Sequence, residues 1–143
     1  MKKYLYISFA LLAIVFSADN LYACSCISVP GPLKTQVQNA YDDANAIFSG
    51  EVIEVKKSPT DEHNLLVTFR VAKSWKGGST KVITITTGAD SAMCGYDFEK
   101  GKTYLVYAYG GFSTSNCSRT AVFDKKGDAK YLNKIKGKKK AST

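Results

Sequence analysis

The chain has 143 residues, 45% of them hydrophobic and 22% charged, with 20 Lys and Arg against 12 Asp and Glu, a net charge of +8. That balance excludes a disordered polyelectrolyte, and the length suits one domain while being too short for two independent cores. A single histidine excludes a zinc site built on histidines of the chain's own.

Residues 1–23 read as a cleavable export signal. Met1-Lys2-Lys3 is the positive start, residues 4–16 are apolar except for Ser8, and a polar stretch closes on the small Ala23. The apolar run is too short to cross a bilayer as a stable helix. Cleavage after Ala23 leaves Cys24 first in a mature chain that has lost Lys2, Lys3 and Asp19 and carries +7. An exported location follows, extracellular or periplasmic, with one domain over 24–126 and a basic segment over 127–143. Leu21-Tyr22-Ala23-Cys24 also loosely matches the signal for a lipid-modified cysteine. Tyr22 is bulky for that purpose, and lipidation would leave an odd number of cysteines in an oxidising compartment. Membrane association is therefore expected only if Cys24 is lipidated.

All four cysteines, Cys24, Cys26, Cys94 and Cys117, follow the signal. An even count in an exported chain reads as two disulfides, with three connectivities open. Cys24 and Cys26 sit too close in sequence to pair comfortably with each other. Each then staples the start of the mature chain to a distant segment. An N-terminus is normally the loosest part of a domain, so tying its first three residues down twice is the most informative feature of the sequence.

After Cys26, Pro30 and Pro32 hold the backbone extended and exclude a helix before residue 33. Leu33, Val37, Ala40, Tyr41 and Ala44 then form an apolar stripe, which predicts a helix over 33–46. Strands are predicted over 46–56, where Gly50 suggests a bulge or bend, and over 65–75, where Val67, Phe69 and Val71 share the inward face. Further strands are predicted over 81–87, 103–109 and 116–123, with Leu105 in the core, and a short closing helix over 128–135. The lysines at 134, 136, 138, 139 and 140 read as a solvated, disordered end. The fold class is mainly β: a five-stranded OB-like Greek-key barrel with one packed N-terminal helix and a short C-terminal helix.

Nothing in the chain points to an enzyme. His63 lies in the polar turn Asp61-Glu62-His63-Asn64, and the carboxylate pairs Asp42/Asp43 and Asp97/Glu99 sit beside turns or on an exposed helix face. No phosphate loop, nucleophile elbow or Cys/His pair with a plausible orienting third residue occurs. Export, and the lack of a basic motif interleaved with aromatics, argue against nucleic acid as a partner. The chemistry that remains is at Cys24. Its freed α-amine, with an ordinary pKa of about 7.7–8, is partly neutral at physiological pH. Together with the carbonyl oxygen of the same residue it makes a five-membered chelate for an open catalytic zinc on another protein.

Several motifs together carry a resemblance: Cys24-Ser25-Cys26 at the signal junction, a helix, Ile47-Phe48-Ser49-Gly50, Cys94-Gly95, and Gly101-Lys102-Thr103-Tyr104-Leu105-Val106. Over residues 24–123 the chain resembles the N-terminal, netrin-type domain of the tissue inhibitors of metalloproteinases. The family's third barrel disulfide and its cysteine-rich C-terminal domain are missing, and the prolines come later, so the likeness is to a minimal, bacterial-type relative. The resemblance implies bridges Cys24–Cys94 and Cys26–Cys117. It implies a secreted inhibitor that contacts a zinc metalloprotease through Cys24, Ser25, Cys26, Ile27, Ala92 and Met93. Backbone atoms of Cys24 would chelate the protease's zinc in trans, with the Ser25 side chain at the mouth of the specificity pocket. No cofactor of the chain's own is expected; zinc belongs to the partner alone. The alternative is a disulfide-stapled netrin-type binding module, or an envelope lipoprotein, directed at another exported protein and without inhibitory activity.

Overall fold

The computed structural model describes residues 24–27, 29–78 and 80–141, the last four by backbone alone. The export signal expected over 1–23 lies outside the described residues. In chain order the elements are α1 (Leu33–Asp43), β1 (Ala46–Lys57), β2 (Asn64–Lys76), β3 (Val82–Gly88), β4 (Thr103–Ala108), β5 (Ala121–Val122) and α2 (Asp128–Ala141), with 3-10 turns at Ser91–Met93 and Gly110–Phe112. The protein is mainly β: one antiparallel sheet in the order β3-β2-β1-β4-β5, flanked by the two helices. Three meandering strands with a fourth returning beside the first make a Greek key.

The sheet is not closed into the barrel that the strand pattern suggested. β3 and β5 remain its two edges, and the isolated parallel bridge Thr86↔Ser113, with Thr114 N–H donating to Thr86 O at 2.9 Å, is what links β3 to the chain beyond β4. The reason lies in the fifth strand, expected over 116–123 and present only as Ala121–Val122. Hydroxyls replace its ladder: Tyr107 N–H donates to Thr120 Oγ1 at 3.0 Å, and Thr114 Oγ1 donates to Tyr107 O at 2.9 Å. Ser118 Oγ meanwhile donates to Ser115 O, closing a local turn. Ser and Thr side chains offer the backbone this alternative to sheet pairing.

β1 is the central strand, paired with β2 on one side and β4 on the other. Its first five residues, Ala46 through Gly50, are all buried, so the apolar/polar alternation of a half-solvated strand is absent there. Ile47 faces one core with Val37, Ala40, Tyr41, Ala44, Trp75, Leu105, Tyr107, Ala129 and Leu132, between the sheet and both helices. Ala46, Phe48 and Val52 face a second core with Val67, Phe69, Ile85, Phe98, Tyr104 and Val106, on the other side of the sheet. Val67 and Phe69 are buried as expected, Val71 is half-buried, and Leu105 is buried on the opposite side from them. Gly50 sits at a register shift in β1, where a Cβ would meet Arg70 O at 2.8 Å, so the predicted bulge is a close backbone approach.

α1 ends three residues before its expected limit because Ala44 turns to extended geometry and Asn45 N–H donates to Ala108 O, starting the sheet. α2 runs through Ala141, so the basic segment expected to be a disordered end is helical as far as the described residues reach. Tyr131, Leu132 and Ile135 pack inward as predicted.

Tyrosines tie this architecture to pH. Burial, reinforced by Asp128, whose carboxylate accepts the Tyr107 phenol at 3.0 Å, pushes the Tyr107 pKa well above its ordinary 10.0. Burial also raises Tyr109 and Tyr96. A raised pKa means that the folded state holds protons the unfolded state has lost, so stability is full below about pH 10 and falls as pH rises beyond it. Urea unfolding at pH 8 and pH 11 is expected to show that fall, and Tyr107→Phe to flatten it. An unchanged slope in the variant would remove Tyr107 as its main source.

Candidate functional site

The segment 24–27 is held by two bridges. Cys24 pairs with Cys94 and Cys26 with Cys117, with Cα–Cα distances of 5.3 and 5.1 Å, spanning 70 and 91 residues. The bridges touch: Cys24 Sγ lies 3.6 Å from Cys117 Sγ. Asn116 Oδ1 is 3.3 Å from Cys24 Sγ, a contact only, since a disulfide sulfur has no proton to donate. The two loops that receive the bridges are themselves joined, through Asn116 N–H donating to Cys94 O at 2.9 Å. Sulfurs of Cys24, Cys26 and Cys117 lie within 4.8 Å of one another, but each is oxidised, and metal ligation needs thiolate. Nor is the Cys24 sulfur open to a lipid thioether while it holds Cys94. Two disulfides are compatible with an exported protein.

The loop that bears Cys94 is built for a tight reversal. Asp90 caps the turn Ser91–Met93, its Oδ1 accepting Met93 N–H at 3.0 Å while its carbonyl accepts Gly95 N–H at 2.8 Å. Cys94 adopts the left-handed conformation, φ 56°, which is uncommon for a residue with a side chain. The next residue must then pass directly over β3: a Cβ on Gly95 would come within 2.1 Å of Gly88 O. Only glycine fits there, which gives Cys94-Gly95 a physical reason.

Exposure decides what this platform presents. Ile27 is 95% exposed, Val29 58% and Met93 44%, and Ser25 and Ala92 are also exposed. The bridge Cys24–Cys94 brings residues 24–27 and Ser91–Met93, remote in sequence, into one assembly. All six residues singled out as contact residues belong to these two segments. Asp90, Asn116 and the arginine described next were missed by the sequence reading; Asp90 alone had a signal, an acidic cap before a short turn.

Beside the platform lies a groove of about 620 Å³ between α1 and residues 117–128, with Ile27, Val29 and Val122 among its lining residues and Leu105 among the buried ones. Arg119 organises this region. Its guanidinium grips Asp128 bidentately, at 2.7 and 2.8 Å, and donates to Gln36 Oε1 at 2.9 Å. The pairing with Asp128 raises the arginine's pKa further. One cation thereby joins α1, the Cys117 turn and the start of α2, while Tyr107 adds β4 through the same carboxylate.

The remaining titratable candidates are dispersed. His63 is exposed, its backbone N–H bonded to Asp61 Oδ1. Asp42 accepts from Gln38 one turn earlier, and Glu99 pairs with Lys102 at 2.6 Å. No protein-family model matches the chain, and no curated protein matches it.

Proposed function

We propose that the mature protein is a secreted inhibitor of zinc metalloproteases that acts through the α-amine and carbonyl of Cys24. The observation that supports this reading is the double stapling of residues 24–27 beside the exposed turn Ser91–Met93. Chelation by a chain terminus ordinarily loses affinity to the entropy of ordering that terminus, and two bridges within three residues remove most of that loss beforehand. The neutral amine and the carbonyl oxygen would occupy the open position where a protease zinc holds its reacting water. Ser25, exposed between the two bridged cysteines, is the side chain that would enter the protease's specificity pocket.

The test is a panel of exported zinc proteases assayed with native protein and with a form extended by one alanine before Cys24. Native protein is expected to inhibit and the extended form to fail at equal concentration, with both showing intact bridges and equal melting temperatures. Inhibition should also weaken as pH falls below about 7.7, because the proton competes with zinc for the amine. Equal inhibition by the two forms would falsify chelation. Binding of a partner through the exposed apolar residues Ile27, Val29 and Val122 without inhibition would favour the binding-module reading instead.

A further inference from the structure

The last helix is a strongly charged face with a defined geometry. Across Asp128–Ala141 it carries Lys130, Lys134, Lys136, Lys138, Lys139 and Lys140, and its one acid is Asp128. That acid is occupied by Arg119. None of the four ion pairs among the described residues uses a lysine of this helix.

α2 is docked rather than trailing. Ala129 and Leu132 are buried, Asn133 Oδ1 accepts from Lys73 Nζ and from Trp75 Nε1, both at 2.7 Å, and Lys136 Nζ donates to Ser74 O. Lys130, Asn133, Lys134, Lys136 and Gly137 are exposed, and Lys73, exposed on the neighbouring β2, widens the positive face. Fourteen residues at 1.5 Å each give a rod about 21 Å long.

A helix presents its side chains outward from a convex rod, and no lysine of α2 lines the groove between α1 and residues 117–128. A small free anion needs donors converging on one point, which a convex helix does not provide. A plane of anionic headgroups needs only several cations presented together, each adding to the attraction. None of the exposed large apolar residues lies on α2, so contact would be electrostatic and without insertion.

We propose that the lysine face of α2 is a docking surface for anionic phospholipid headgroups, which holds the protein peripherally on a negatively charged bilayer. This goes beyond the inhibitor reading and is independent of it, and it requires no lipid on Cys24.

The experiment is co-sedimentation of the disulfide-bonded mature protein with vesicles of phosphatidylcholine alone, or of phosphatidylcholine and phosphatidylglycerol in equal parts. Binding is expected only to the anionic vesicles, with release as salt shortens the Debye length below about 8 Å. Lys130→Glu with Lys134→Glu should weaken binding at least about tenfold. Lys34→Glu with Lys57→Glu, an equal change of charge at exposed positions elsewhere, should change it by less than about threefold, since screening confines each charge's influence to its own surroundings. Equal losses in the two variants would reduce the effect to net charge and overturn the proposal. So would equal binding to neutral vesicles, or no binding to anionic ones at low salt. Inorganic phosphate releasing the protein better than sodium chloride at the same ionic strength would point to a free-anion site, and tighter binding per charge to polyphosphate would point to a soluble polyanion; either overturns the lipid assignment.

Discussion

Phe69→Ala is expected to lower the unfolding free energy by about 3–5 kcal/mol, measured as a shift in the urea midpoint at an unchanged slope. Phe69 is fully buried in the core that lies opposite the helices. Its ring meets Phe48 edge-on at 5.4 Å between centroids and Phe98 at 5.2 Å, and Phe98 meets Tyr104 at 4.9 Å. Truncation removes the ring that joins Phe48 to Phe98 in that chain of edge-to-face contacts, losing burial and ring geometry together. Collapse around the cavity is restricted, because β1 and β2 are already in close backbone contact where Gly50 passes Arg70 O at a distance a Cβ cannot tolerate. A loss below about 1 kcal/mol would contradict the burial assigned to this strand.

Removing the Cys24–Cys94 bridge by Cys24→Ser with Cys94→Ser is expected to lower stability by about 2–5 kcal/mol, and removing Cys26–Cys117 by a similar amount. Closing loops of 70 and 91 residues restricts the unfolded chain strongly in either case. Two measurements separate the bridges. Deleting Cys24–Cys94 should free residues 24–25, abolish the proposed inhibition and raise hydrogen exchange at Met93 and Gly95. Deleting Cys26–Cys117 should loosen the Ser115–Ser118 turn and, through Asn116 and Cys94, only partly disturb the Cys94 loop. A variant lacking Cys24–Cys94 that inhibited a zinc protease as strongly as the native protein would separate the proposed inhibition from the stapled segment.

The periodicity of β2 was plain in the sequence because Val67 and Phe69 point to a buried face while Thr68 and Arg70 do not. The same rule failed at the start of β1, since a strand with both faces covered has no alternation to read. Asn116 through Phe123 looked like a strand by composition, yet Thr114, Ser118 and Thr120 turned their hydroxyls to the backbone and left two residues of ladder. The lysines after Ile135 looked like a solvated tail, and docking of Leu132 and Asn133 against β2 made them part of a helix.

The candidate site divides in the same way. Local chemistry made the segment around Cys24 stand out: a small residue before a cysteine, a second cysteine two positions on, and a glycine after Cys94, where the left-handed turn leaves no space for a side chain. Each of those signals lies within two residues of a cysteine along the chain. The number of bridges was likewise legible from the cysteine count, while geometry and spacing left their pairing open. Only the tertiary structure decided that Cys94 and Cys117 arrive side by side, that the Cys24–Cys94 bridge joins residues 24–27 to the loop of the Ser91–Met93 turn, and that Arg119 joins α1 to α2. Such contacts span dozens of residues, and which distant segments meet depends on strand order and core packing rather than on local composition.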